Sequence, residues 1–243
     1  MKKLGTVIRY ECETSFKYIW IFYACVFAVI AIIYAIACAV TGGFDQVGTN
    51  ALEVNSMVYV GILGVMGYKE DFKMLLQNGF TRKYIFLSTL SLFAFVSAVM
   101  AFVDTILGNV LHIFSSRYDS FFAGVYGYGH SILLNWLLLF LVYMSLCCLL
   151  YFIVLIINKI GKMTTLIFGI SLGFLFIVLV PVLFRFALPE ETQNAVLEFL
   201  LKTAGFMADG TINLFYPILL FLVLGGIFGY CGYVVLRKTE LKV

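Results

Sequence analysis

The sequence predicts an all-α fold, a polytopic membrane helix bundle of about six transmembrane helices with both termini in the cytoplasm. Three observations predict it. Hydrophobic residues make up 63% of the chain and charged residues 12%, with a mean hydropathy of +1.05. A soluble domain carries about 25% charge, so 16 basic and 13 acidic side chains cannot clothe 243 residues in polar surface. Lipid must then serve as solvent. Apolar runs long enough to cross a hydrocarbon core recur along the chain, and lysines and arginines collect in alternate connections between them. The net charge of +3 is too small to point to nucleic acid.

A core about 30 Å thick needs roughly 20 helical residues. Candidate spans are residues 18–40, 51–68, 84–111, 131–157, 163–188 and 212–236. The second is the weakest, because Glu53, Asn55 and Ser56 crowd its start. The first is too long for a signal-peptide core of about 7–15 residues, despite Ala35, Ala37 and Cys38 near its end, and reads as a retained span.

Orientation follows the basic residues. Lys2, Lys3, Arg9 and Lys17, then Lys69, Lys73, Arg82 and Lys83, then Lys159 and Lys162, then Arg237, Lys238 and Lys242 fall on one side, thirteen of the sixteen. The opposite side holds Arg117, Arg185 and Lys202 among Asp45, Glu53, Asp119, Glu190, Glu191, Glu198 and Asp209. An odd number of spans would scramble this partition.

Within residues 1–17, Leu4, Val7, Ile8, Cys12 and Phe16 recur at helical spacing, predicting an amphipathic N-terminal surface helix. Residues 69–83 form a second amphipathic cytoplasmic segment, with Phe72, Leu75, Leu76 and Phe80 as its apolar stripe. Asn78-Gly79 predicts a helix stop, and Thr81 the N-cap of the third span. Across the membrane, residues 188–211 predict a short helix resting on the bundle. There Pro189, Glu190 and Glu191 suit a helix N-terminus, and Ala195, Val196, Phe199 and Leu200 give an apolar face.

Polar residues in apolar context are the candidate translocation path or gate. Asp104 lies 21 residues beyond Lys83, about 31 Å at 1.5 Å per residue. Arg185 lies at similar depth beyond Lys162. The two side chains either pair as a gate at the outer mouth or snorkel to water. Asn55, Ser56, Asn109 and Asn135 either hydrogen-bond between helices or line a substrate path. Gly169 and Gly173, and Gly225, Gly226, Gly229 and Gly232, permit close helix approach within the chain or at a dimer seam. Pro181 predicts a kink. The cysteines show neither a disulfide framework nor zinc-ligand spacing and read as packing residues.

No motif for chemistry stands out, and the chain is expected to be no enzyme and to carry no cofactor or metal. Gly161-Lys162 is followed by Met163 and lacks the partner glycine of a nucleotide-binding loop. The longest cytosolic stretch is too short for an ATPase domain. His112 and His130 are the only histidines, no H-E-x-x-H occurs, Glu190-Glu191 has no partner histidines inside, and no Gly-x-Ser-Gly supports an intramembrane serine protease.

Residues 68–87, YKEDFKMLLQNGFTRKYIFL, resemble the cytoplasmic stretch between spans two and three of ABC-2-type transporter permeases. In that family an acidic amphipathic helix ends near a glycine, followed by a small hydroxyl residue, Arg-Lys and the next span. The N-terminal surface helix, the six spans and the external short helix resemble the family layout as well. The resemblance implies a half-transporter in a bacterial cell membrane. A second permease chain, identical or a sister, and a cytosolic ABC ATPase subunit carrying ATP and Mg would be its partners. Glu70, Asp71, Phe72, Leu75, Leu76, Gly79, Arg82 and Lys83 would form the ATPase-coupling element. Among permease subunits of this length, exporters of hydrophobic or amphipathic peptides and bacteriocin- or lantibiotic-immunity permeases are the implied kind. A stand-alone channel or secondary transporter, and an accessory scaffold, remain the competing classes.

Overall fold

A computed structural model describes residues 2–41, 52–114, 120–127 and 129–238. Asp45, Ala51, Arg117, Asp119 and Lys242, and the side chains of Cys38, Glu70 and Asp71, lie outside the described residues. Every named element is helical: α1 (Lys2–Thr41), α2 (Leu52–Met66), a π-helical turn (Gly67–Phe72), α3 (Lys73–Gln77), α4 (Arg82–Phe114), α5 (Phe121–Tyr126) and α6 (Ile132–Ile160). Then come α7 (Lys162–Phe174), a second π-helical turn (Leu175–Leu179), α8 (Val180–Ala187), α9 (Glu190–Thr203) and α10 (Phe215–Arg237).

Among the described residues, five stretches are long and apolar enough to cross a bilayer: Leu4–Ile33, Arg82–Ile113, Ile132–Ile160, Lys162–Phe186 and Phe215–Arg237. The predicted second span is shorter. Its regular α-helix has 15 residues, a rise of about 22 Å, and continues through the π turn into α3. The fold is thus a helical bundle compatible with membrane insertion, with five long apolar helices where six full spans were expected.

Side-chain contacts fix the register. Ser88 on α4 donates to Glu11 on α1, and Tyr23 on α1 reaches Met100 and Asp104 on α4, so α1 and α4 run parallel. Phe93 meets Tyr151 at 5.6 Å and Asp104 meets Tyr143, so α6 runs antiparallel to α4. The α2 helix descends with α6, as Glu53–Tyr143 and Val60–Cys147 show. So does α10, whose Gly225, Gly229 and Gly232 face Ser145, Cys148 and Tyr151. Arg82 Nη1 donates to the Arg237 carbonyl at 2.6 Å, placing the start of α4 beside the end of α10. That end gathers Arg82, Lys83, Lys159, Lys162, Arg237 and Lys238, and is called the basic end below.

The core lies between α2, α4 and α6, around Val60, Phe93, Val96, Met100, Tyr143 and Cys147. Gly64 makes the closest approach. A Cβ built there would sit 2.7 Å from the Cys147 backbone oxygen, so only glycine lets α2 seat against α6. The glycine row of α10 packs within the chain, whereas Gly169, Gly173 and Gly226 have nothing within 4 Å.

The first helix departs from expectation. Residues 1–17 are no separate surface helix: α1 is one uninterrupted run, because nothing between Phe16 and Tyr18 breaks it and Glu11 and Ile19 are both buried. A second departure concerns residues 162–187, which contain no buried residue among those described and contact the bundle chiefly where α7 joins α6. The π turn ends at Leu179, two residues before Pro181. Proline lacks the N–H that a regular α-helix would bond there, and the wider turn absorbs the loss.

The α9 helix forms as predicted behind Pro189, with Glu190 and Glu191 in its first turn. It does not rest on the bundle, and Phe199 and Leu200 stay exposed. Among the described residues its C-terminal end is tied to the bundle by Tyr126 donating to the Ala204 carbonyl at 2.9 Å and by Lys202 over the Tyr216 ring, while near its start Gln193 donates to the Leu188 carbonyl. A tight turn follows, closed by Asp209, whose carboxyl is held below its ordinary range by hydrogen bonds from the Thr211 hydroxyl and backbone N–H. Cys12, Cys25, Cys147, Cys148 and Cys231 are free thiols; Cys147 and Cys148 are packed in the core as expected, while Cys25 is exposed.

Candidate functional site

Toward the end of the bundle remote from the basic residues, α1, α2, α4 and α6 converge on Asp104, which is 1% exposed. Its two oxygens each accept a tyrosine proton: Tyr23 donates to Oδ1 at 2.7 Å and Tyr143 to Oδ2 at 2.6 Å. Each oxygen is thus within hydrogen-bond distance of one tyrosine hydroxyl. Tyr23 also lies 3.4 Å from the Ser56 hydroxyl, and Tyr143 lies 3.4 Å from the Glu53 carbonyl. Three helices are thereby tied to a fourth through one carboxylate.

Glu53 is the second buried carboxylate, 2% exposed. It occupies the first turn of α2, where unbonded N–H groups favour negative charge. Its Oε2 accepts from the Phe121 backbone at 3.3 Å, so the N-terminus of α5 faces it as well. Ser120 caps α5, its hydroxyl accepting from Ala123 at 3.0 Å.

Between these groups lies a cavity of about 10 Å³ lined by Glu53, Asp104, Thr105, Gly108, Asn109, Ser120, Phe122, Asn135 and Leu139. Thr105 and Asn109 donate to carbonyls one turn back on α4, leaving their oxygens free to accept. Asn135, 7% exposed, also lines this region, and its buried Oδ1 atom has no hydrogen-bond partner among the described residues. The Arg9–Glu13 ion pair is on the outer face of α1, near the basic end.

The structure brings together Ser56, Asp104, Asn109 and Asn135 from the sequence candidates. Asn55, one residue from Ser56, does not line the cavity. Arg185 is exposed on α8 and forms no ion pair with Asp104 among the described residues, so of the two alternatives the pairing is not observed. Nor is Asp104 a snorkelling, solvated side chain; its tyrosine partners let it stay inside. Sequence reasoning missed Glu53, Tyr23, Tyr143 and Ser120. Glu53 and Ser56 share one face of α2 at i, i+3 spacing, and that spacing was the available signal.

The segment expected to contact an ATPase also differs from expectation. Phe72 and Leu75 are 0% and 2% exposed, packed in the bundle core with Tyr68 stacked on Phe72 at 5.1 Å. They anchor the segment to its own chain. Leu76 is half-buried, while Met74, Gln77 and Lys83 are exposed and Arg82 is partly so. The stop at Asn78-Gly79 forms as predicted: Gly79 adopts φ +76°, its N–H bonds the Leu76 carbonyl, and the Phe80 N–H bonds the Leu75 carbonyl. Thr81 directly precedes α4, its carbonyl accepting from Ile85. Comparison with protein-family models, with characterised proteins and with solved structures finds no match to this chain.

Proposed function

We propose that this chain is the transmembrane permease subunit of an ATP-driven exporter, moving hydrophobic or amphipathic peptides and powered by a separate ATPase. The observation that carries the reading is the connector Gly67–Gln77. It is helical throughout, anchored by Phe72 and Leu75, and closed by the Gly79 turn that leads straight into α4. A push on its exposed residues would pass as rigid-body motion to α2 and α4. Those two helices carry Glu53 and Asp104 at their far ends. The docking face is then Met74, Gln77 and Asn78, with Arg82 and Lys83 beside it.

Purification with a co-expressed ATPase from the same genomic neighbourhood tests this. Co-purification, with ATP turnover lost in a folded Met74→Asp variant, supports coupling. Solute transport by this chain alone in liposomes without ATP would instead establish a secondary transporter or channel, the reading that the buried carboxylates favour.

A further inference from the structure

Two carboxyl groups are buried at one place, and neither forms an ion pair among the described residues. Buried carboxyl groups are normally hydrogen-bonded, paired or bound to a metal. Tyr23, Tyr143 and the Phe121 N–H supply hydrogen bonds here but no full positive charge. Beside the carboxylates lies the unpartnered Asn135 Oδ1, an oxygen able only to accept.

We propose that the cavity bounded by Glu53, Asp104 and Asn135 binds one small monovalent cation, Na⁺ being the chemical fit. Every ligand within reach is oxygen, the preference of hard cations, with neither imidazole nor thiolate to select a transition metal. A volume of about 10 Å³ admits a single water-sized particle. It leaves no room for the retained waters of Mg²⁺, and the oxygens of Asp104 already serve two tyrosines, leaving too few for the six to eight ligands of Ca²⁺. Gly108 keeps the space open. A Cβ there would lie 3.4 Å from the Ser120 Cβ and 3.9 Å from Glu53 Oε1, ordinary contacts that fill the cavity without straining its walls. The ion would clamp α2, α4, α5 and α6 together. This inference does not rest on the ATPase-coupling reading.

The test uses the purified full chain in detergent, with unfolding followed by tryptophan fluorescence as NaCl replaces choline chloride at constant ionic strength. Na⁺ is expected to raise Tm saturably, K⁺ to do so less, and equilibrium ²²Na⁺ binding to give about one ion per chain. Gly108→Ala and Glu53→Gln should fold in choline yet lose the Na⁺ increment, and Asn135→Ala should raise the half-saturating Na⁺ concentration at least about tenfold. Identical Tm in Na⁺ and choline overturns the proposal, as does a full Na⁺ response retained in Gly108→Ala. Stabilisation by submillimolar Ca²⁺ in place of Na⁺ overturns it too. Should one variant fail to fold, ²²Na⁺ binding to the wild-type chain and to the other variant still decides the matter.

Discussion

Tyr143 on α6 donates its hydroxyl proton to Oδ2 of Asp104 on α4 at 2.6 Å, across the buried seam between the two helices. This bond replaces water for a polar group that sits inside the bundle. Tyr143→Phe removes the phenol and leaves one carboxyl oxygen without that partner. The expected cost is about 1–3 kcal/mol, the range for a buried polar group left unsatisfied, read as a lower unfolding temperature in detergent. An unchanged temperature would mean that Asp104 is not held this way.

Gly64 is the tightest helix contact. Gly64→Ala places a methyl group 2.7 Å from a backbone oxygen that cannot swing aside. Overpacking of this kind costs about 1–3 kcal/mol. Gly169→Ala, with open space around its Cβ, should be neutral or gain up to about 1 kcal/mol from helix propensity. Thermal melts of the two variants side by side separate close packing from mere glycine content.

Gly79 ends α3 with φ +76°. Gly79→Ala should cost about 1–2 kcal/mol, the penalty of a Cβ in the left-handed region, and Gly79→Asn noticeably less, since Asn tolerates that conformation. Equal melting temperatures for all three proteins would argue against the helix stop.

The connector gives a contrast between neighbours. Leu75→Asp buries a charge in the core and should abolish folding, while Met74→Asp alters an exposed side chain and should leave the melt within about 0.5 kcal/mol of wild type. Gel-filtration profiles of the two proteins report the difference directly. Loss of monodispersity in Met74→Asp would place that residue inside.

Arg185 supplies a further check. Because it is exposed and forms no ion pair with Asp104 among the described residues, Arg185→Gln should change stability by less than about 0.5 kcal/mol. A double variant joining it to Tyr143→Phe should be additive. Coupling between the two in a double-mutant cycle would revive a direct link.

The features legible in the sequence were those set by local chemistry. Composition dictates helices in lipid, Asn78-Gly79 writes a C-cap, Pro189-Glu190-Glu191 starts α9, and Pro181 forces an irregular turn. What escaped was tertiary. The amphipathic stripe of Phe72 and Leu75 marks a face to be covered, but periodicity cannot say whether the cover is the same chain or another. Depth arithmetic placed Asp104 near one end of α4, yet only the convergence of Tyr23 and Tyr143 shows that it points inward. Glu53 read as a flaw in an apolar run; in three dimensions it faces the start of α5. Residues 2–17 repeat at helical spacing whether they lie along a surface or extend a span, and the hydrogen bond from Ser88 to Glu11 selects the second.

Among the described residues, the stretch from Lys162 to Ala187 is fastened to the bundle chiefly at its Gly161 junction and has no buried side chain. In a bilayer its inclination would therefore be set by the thickness of the lipid more than by the protein. Reconstitution into shorter- or longer-tailed phospholipids should re-angle this one segment while the Tyr–Asp seam keeps its geometry.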